Sequence, residues 1–417
     1  MEKAILVIAD FKKDRNWPAK DDCNELSLLV RSSGLAIAGE VFCRRERPSP
    51  DYFLGKGKIE EIALSCQERG ADVVIFNDEL SPAQQRNIEE LVDAKIIDRT
   101  QLILDIFAQR AHSREGKVQV ELAQLNYLLP RLSGKGVLLS RLGGGIGTRG
   151  PGEQKLEMDR RRIKTKIARL KEELDSLTSQ RHSLRVLRKK HGLPVVALVG
   201  YTNAGKSTLF NAFTNSNVLV MDKLFATLDP TIRRFILPDG QKILFVDTVG
   251  FLHKLPHHLI EAFKATLEEI AGADILAHVI DISHPKAKEH ASAVLEVLNE
   301  LGVSEKPVIT VLNKIDKIES RLALDLLLRN FPKGVALSAF KKDGLDKLVK
   351  EFSGRLPNAL QNINIKIPNE NQSLLNLIYK EGRVDSVKYS GKWIMVKAQA
   401  PEALIGRLTK QGIEFYP

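Results

Sequence analysis

Val195-Val196-Ala197-Leu198-Val199 runs without a break into Gly200-Tyr201-Thr202-Asn203-Ala204-Gly205-Lys206-Ser207, and Thr208 to Phe213 follow with helical spacing. A short, continuous apolar run reads as a strand buried on both faces, which requires a sheet with helices packed on each side. At the strand–helix junction the two glycines let backbone N–H groups converge at the positive end of a helix, a cradle for phosphate. In that setting Lys206 reaches β- and γ-phosphate oxygens, and the Ser207 hydroxyl suits Mg²⁺. The chain is thereby constrained to an α/β fold with a mostly parallel sheet and to a nucleotide ligand.

Later strand ends specify that nucleotide. Ile243-Leu244-Phe245-Val246 closes on Asp247-Thr248-Val249-Gly250. A carboxylate there holds Mg²⁺ through water, and the Gly250 N–H bonds the γ-phosphate, a contact whose loss on hydrolysis releases the next segment. Val308 to Leu312 leads into Asn313-Lys314-Ile315-Asp316. Asp316 is acceptor-only, so it takes both the ring N–H and the exocyclic amine of guanine, which adenine does not offer. Asn313 is expected to brace the loop and the Lys314 stem to cover the ring. Ser338-Ala339-Phe340 is expected to supply a backbone N–H to the guanine carbonyl. Phe225-Ala226-Thr227-Leu228-Asp229 reads as a loop that carries one Thr hydroxyl to Mg²⁺, with Thr227 preferred and Thr231 the alternative. GTP or GDP is the expected ligand, with Lys206, Thr227 and Gly250 acting on the γ-phosphate and Ser207 and Thr227 on the metal.

Around this core the chain reads as four domains: 1–108, 109–192, 193–357 and 358–417. In the first, Ala4 to Ile8, Ala36 to Phe42, Val73 to Phe76 and Lys95 to Asp98 alternate with helical stretches Asn24 to Arg31, Lys58 to Glu68 and Pro82 to Val92, which predicts another mainly parallel sheet. Ser81 before Pro82 is a helix-start signal. In the second, Val118 to Leu129 is predicted helical and to stop at Pro130. Ile163, Ile167, Leu170, Leu174, Leu177 and Leu184 form a seam of period 3.5, broken at Arg181, as in a helical hairpin. Between the two lies Gly143-Gly144-Gly145-Ile146-Gly147-Thr148-Arg149-Gly150-Pro151-Gly152. Pro357 to Asn371 reads as a linker into a small α+β tail of order βαββαβ, ferredoxin-like.

The net charge of +11 is uneven. Between Gln109 and Lys190 there are 20 Lys and Arg against 8 Asp and Glu, and elsewhere 43 against 44. Such a surplus points to a polyanionic partner, or to a solvated helix with a skewed surface. No apolar stretch is long enough for a membrane span, and Cys23, Cys43 and Cys66 are unclustered, so neither a disulfide framework nor a zinc site is expected.

The glycine-rich tip through Glu153 and Phe225-Ala226-Thr227-Leu228-Asp229-Pro230-Thr231, with the order of domains, resemble the HflX family of translation-factor-related GTPases along essentially the whole chain. The resemblance implies a cytoplasmic GTPase, expected as a monomer, that binds the 50S ribosomal subunit and 23S rRNA and splits stalled or hibernating ribosomes, with peripheral membrane association left open. A GTP-dependent RNA-remodelling or ribosome-assembly factor is the alternative. The tail lacks the G-x-x-G of a KH module, and no cysteine follows Cys66 to serve a tRNA-modifying relative. Phe251 stands where many relatives of Ras type place a water-orienting Gln, so isolated turnover is expected to be slow. Asn203 raises a K⁺ ion beside the phosphates. His253, His257 and His258 read as surface or partner-facing, and Gly55-Lys56-Gly57-Lys58 as a weak phosphate candidate.

Overall fold

The computed structural model describes residues 2–11, 17–132, 151–190, 192–214, 224–225, 227–238, 240–253, 264–356, 361–400 and 402–416. The glycine-rich tip from 143 to 150 lies outside them. The chain divides into two compact units: residues 1–178, 221–229 and 252–266 form one, and the remainder the other.

The first unit is built on β1 (Lys3–Phe11), α1 (Ala19–Ser33), β2 (Ala36–Arg45), α2 (Lys56–Arg69), β3 (Val73–Phe76), α3 (Pro82–Glu89), β4 (Lys95–Asp98), α4 (Arg99–Arg110), α5 (Arg114–Arg131) and the first part of α6 (Pro151–Lys190). Its sheet is parallel throughout, in the order β2-β1-β3-β4. Ile5, Val7, Val74, Phe76 and Ile96 pack against Ile59, Ile62 and Ile88 from the helices. Side chains set the helix starts. Ser81 Oγ accepts from Gln84 N while the Gln84 side chain accepts from Ser81 N, a reciprocal cap with Pro82 in the first turn. Asp98 caps α4 and Ser113 caps α5.

Against expectation, α5 begins four residues before Val118 and runs through Pro130. Pro130 has no N–H to donate back to the carbonyl four residues earlier, but it stands one residue from the end, so almost no helix follows the lost bond. Arg131 beyond it is anchored to Leu80 O at 2.7 Å, Tyr127 O at 3.0 Å and Asp98 at 3.2 Å, so tertiary bonds hold the last turn. The predicted seam does pair α5 with α6: Ile167, Leu170 and Leu174 pack on Val118 and Leu122. Arg114 bonds Glu173 at 2.7 Å and Lys166 pairs with Glu121, a descending register that makes the hairpin antiparallel.

The second unit carries a six-stranded sheet in the order β10-β9-β8-β5-β7-β6, formed by β5 (Val195–Gly200), β6 (Thr231–Ile236), β7 (Lys242–Asp247), β8 (Ile275–Asp281), β9 (Val308–Asn313) and β10 (Val335–Ala336). Every pairing is parallel except that of the edge strand β6 with β7. The helices are α7 (Lys206–Thr214), α8 (Lys264–Gly272), α9 (Ala287–Glu300), α10 (Arg321–Leu328) and α11 (Leu345–Arg355). The core joins Val196, Leu198, Phe245, Ala277, Val279 and Val311 to Leu209, Phe210, Phe213 and Phe352. Buried Glu269 of α8 bonds Arg185 at 3.2 Å and Arg188 at 3.1 Å from the end of α6.

The tail has β11 (Gln361–Pro368), α12 (Gln372–Glu381), β12 (Arg383–Ser390), β13 (Trp393–Ala400), α13 (Glu402–Lys410) and β14 (Glu414–Phe415). Its sheet is antiparallel, in the order β12-β13-β11-β14. β11 is the expected first strand of the tail over Ile363 to Ile367, lengthened at both ends within the Pro/Asn-rich stretch, and Ile363, Ile365 and Ile367 alternate into the core of the tail. No helix among the described residues is long and apolar enough to cross a membrane.

Candidate active site: a phosphate cradle and a guanine loop

Within the second unit the predicted motifs converge at the C-terminal ends of β5, β7 and β9, where open α/β sheets bind ligands. Gly200 and Gly205 have φ of 155° and 94°. A Cβ on Gly200 would strike the Val279 carbonyl, and one on Gly205 would strike the Asn313 amide. The loop between them is therefore closely backed by protein and turns its backbone to the ligand side. Asn203, at φ 60°, takes the one left-handed non-glycine position in the loop.

Lys206 is buried, and its Nζ donates to Gly200 O at 3.0 Å and Tyr201 O at 2.8 Å. Burial pulls its pKa down from the ordinary 10.5 to about 8; Asp247 opposes the shift and Lys314 adds to it. A phosphate draws on the protonated ammonium. Nucleotide affinity is therefore expected to be full below pH about 8 and to fall by up to about tenfold per unit above it. Calorimetric titration with GDP across that range measures the slope, and a flat profile contradicts it. For the ligand-free fold the sign reverses: the buried cation costs stability below about pH 8, and the cost fades as pH rises toward 10.5.

Ser207 Oγ donates to Asp247 Oδ2 at 2.7 Å. A hydroxyl and a buried carboxylate in contact are hard oxygen donors that fit a Mg²⁺ ion. Thr248 Oγ1 donates to Leu198 O at 2.5 Å, tying β7 to β5 beneath them. Val249 is buried. A Cβ on Gly250 would meet Thr202 Cα at 2.7 Å and Lys206 Nζ at 3.0 Å, so glycine is needed where these loops touch. Phe251 is stitched to the cradle by its backbone: its N–H donates to Gly200 O at 3.1 Å, and its carbonyl accepts from Thr202 N at 2.8 Å. Its ring is buried and holds no hydrogen-bonding group to present to a water.

The guanine loop is cross-braced. Asn313 Nδ2 donates to Ala204 O at 2.9 Å and its Oδ1 accepts from Ala339 N at 3.0 Å, joining the cradle, β9 and the loop after β10. Lys314, at φ 66°, donates to Asn203 O at 2.7 Å. Ile315 and Asp316 form a single 3₁₀ turn with Lys317. Ser338 Oγ donates to Asp316 Oδ1 at 2.5 Å and accepts from Lys341 N at 3.0 Å. Phe340 is 81% exposed. Thr208 lies in the first turn of α7.

Two contributors escaped the sequence reading. Asp281 ends β8 opposite Asn313 and pairs with Lys314 at 2.8 Å. Its signal was available, a carboxylate at the C-terminal end of a parallel strand beside the guanine strand. The Tyr201 ring stacks on His290 at 3.8 Å and 1°, and no local pattern announced that pairing.

The predicted switch residues divide. Thr231 opens β6 opposite Asp247 in the second unit. Phe225, Thr227, Leu228 and Asp229 belong instead to the N-terminal unit, together with Leu252 and His253. There Phe225 is buried edge-on against Phe107 at 4.7 Å, and Leu224 N donates to Ser32 Oγ at 3.1 Å. Asp229 accepts from His112 N at 2.9 Å, Ser113 N at 2.7 Å and Ser113 Oγ at 2.5 Å, at the start of α5. His253 is not the surface residue expected. Its carbonyl accepts from Arg99 at 2.8 Å and its ring stacks on Trp17 at 4.1 Å. Ala226, His257 and His258 lie outside the described residues. Among the described residues no group of His, Cys, Asp and Glu has a metal-binding arrangement of its own. Gly55 to Lys58 starts α2, where Lys58 pairs with Glu61 at 2.6 Å.

A mostly parallel sheet with this cradle at one strand end and an Asp-bearing guanine loop at another defines a P-loop GTPase. The chain matches family models described as GTP-binding GTPase N-terminal over residues 20–108, GTP-binding GTPase Middle Region over 110–188, 50S ribosome-binding GTPase over 195–314 and HflX C-terminal domain over 327–391. It is 46% identical to the GTPase HflX of Caldanaerobacter subterraneus over 95% of this chain and 91% of that one. It is 44% identical to the GTPase HflX of Escherichia coli over 91% and 88%. A GTP-binding protein of Sulfolobus solfataricus solved with GDP is 28% identical, with 85% of this chain and 98% of that one covered at a TM-score of 0.45. The chain belongs to the HflX family and is a GTP-hydrolysing enzyme.

Proposed function

We propose that this GTPase binds the 50S ribosomal subunit through 23S rRNA and uses its nucleotide state to split stalled or hibernating ribosomes. The observation that carries the reading is the solvent face of α6. Arg161, Arg162, Lys164, Lys166, Arg169 and Lys171 are exposed along it, and several of them line an open groove of about 740 Å³ with Met158 and Leu170. A cationic helix beside apolar patches suits an RNA backbone, whose phosphates release counterions as they are neutralised.

In the pocket, Gly200 to Thr208 would hold the phosphates, and Asn313 to Asp316 with Ser338 to Phe340 the base. Lys206 and the Gly250 N–H would stabilise charge on the γ-phosphate, with Thr227 completing the set. Ser207 and Thr227 would hold Mg²⁺, and Asn203 is the residue for a K⁺ ion. The functional division into 1–108, 109–192, 193–357 and 358–417 is part of the same proposal, as are a monomeric state and a cytoplasmic location.

Buried Phe251 supports slow hydrolysis by the isolated chain, with the ribosome completing the site. Single-turnover GTP hydrolysis is expected to rise at least about tenfold with 50S subunits, and the companion assay in KCl and NaCl reads the K⁺ proposal. Cosedimentation should give a 50S peak that requires a non-hydrolysable GTP analogue and is lost on R161E/R162E. Equal rates with and without subunits, and no such peak, would move the reading to an RNA-remodelling or assembly factor.

A further inference from the structure

We propose that the outer face of the tail sheet is a second RNA-binding surface, one that takes single-stranded RNA with a base stacked on Trp393. It is separate from the α6 surface above and does not depend on it. One face of this sheet is closed: Ile363, Ile365, Ile367, Ile394, Val396, Ala398 and Ala400 point into the core formed with α12 and α13. Side chains alternate along a strand, so the residues between these occupy the opposite face.

The strand register fixes what that face presents. Trp393 stands between Pro368 of β11 and Ser390 of β12. Met395 in the next row is flanked by Lys366 on one side and Lys388 on the other. Lys397 follows, between Asn364 and Ser386, and then Gln399 between Asn362 and Arg383. Opposite members of such rows are about 5 Å apart, so Lys366 and Lys388 flank Met395 closely, one row from Trp393. Acidic groups are few and peripheral: Glu414 faces Lys366 from the short edge strand, and Asp385 pairs with Arg383 at 3.9 Å.

The face is open where it matters. Trp393 is 43% exposed, and Lys388 and Lys397 are exposed. The G-domain sheet approaches the tail at the other end, where Gly240 lies against Arg383 and Lys242 Nζ donates to Lys380 O. Gln399 and Trp393 are six positions apart on β13, about 20 Å of strand.

A half-exposed indole on a central strand of a βαββαβ sheet, with two lysines in the next row of the same face and a lysine and amides beyond them, has the chemistry that single-stranded RNA requires. The ring stacks on a base, the lysines neutralise flanking phosphates, and asparagine and serine groups bond base edges or the 2′-hydroxyl. A folded duplex offers no unstacked base to that ring.

The chain has two tryptophans, and Trp17 is buried on His253, so W17F leaves Trp393 as the sole reporter. In full-length W17F protein, titration with a single-stranded RNA oligonucleotide is expected to quench Trp393 emission saturably, and an equivalent duplex is expected not to. The quench should persist in R161E/R162E. W393A should weaken oligonucleotide binding in that background about tenfold, and K366Q/K397Q should lower the salt slope by about 0.7 per lysine. Unchanged circular dichroism and unchanged protection of the tail core strands in hydrogen exchange establish that each variant is folded. RNA binding without a change in Trp393 emission would overturn the proposal, as would photocrosslinks from position 388 to acidic protein in place of RNA.

Discussion

Asp316→Asn is expected to weaken GTP and GDP binding at least about 10²-fold and to transfer preference to xanthosine nucleotides. Asp316 lies in a rigid setting. Ser338 Oγ donates to Oδ1 at 2.5 Å, and the loop is tied to the cradle through Asn313 and Lys314. The carboxylate can accept two N–H groups from guanine. In the Asn variant, Ser338 keeps the amide oxygen, which turns the NH₂ toward the base. Two donors then face each other, and leaving both unpaired costs several kcal/mol. Xanthine carries a carbonyl where guanine carries its amine, so it accepts from the new amide. Competition of GDP and XDP against a fluorescent nucleotide measures the exchange. Unchanged GDP affinity would remove Asp316 from the base site, and loss of GDP with no gain for XDP would mean that the loop, and not its readout, had been damaged.

The pocket was legible because its parts are local. A cradle between a buried strand and a helix, and a carboxylate three residues past a strand end, are each written within a dozen residues. The position of Asn313 at the strand end predicts a bracing role, and it bonds both Ala204 and Ala339. The tail topology was legible for the same reason, since alternation in β11 and β13 marks the buried face directly.

What stayed hidden depends on contacts far apart in the chain. Asp229 binds the start of α5 more than a hundred residues away, and nothing around it distinguishes an acid bound there from one near a metal. His253 stands in a histidine-rich stretch whose pattern reads as solvated, and it is Arg99 and Trp17, distant in sequence, that hold it. Arg99 itself is buried with Asn77 and Glu25, a cluster drawn from two helices and the loop after β3 that carries no sequence signature. The end of α5 is not written locally, because Pro130 is a local stop signal whereas the bonds of Arg131 that override it are tertiary.

Gly250→Ala should separate nucleotide binding from turnover more sharply than any change in the guanine loop. The added methyl would lie 2.7 Å from both Thr202 Cα and Thr202 Cγ2 and 3.0 Å from Lys206 Nζ, so the segment at Gly250 must retreat from the cradle. Phe251 limits that retreat, because its backbone is bonded to Gly200 and Thr202 on the same side. The Gly250 N–H would then be held away from the γ-phosphate, while the cradle and guanine loop stay formed. GDP makes no use of that N–H, so its affinity is expected to change by less than about threefold. Loss of one well-placed donor to a developing charge costs about 10²- to 10³-fold in rate, and single-turnover hydrolysis should fall by that factor. A drop in GDP affinity as large as the drop in rate would show that the methyl displaces Thr202 instead. The Gly250→Ser variant would carry the same Cβ and therefore the same defect, so its failure to rescue separates a steric cause from a missing hydrogen bond.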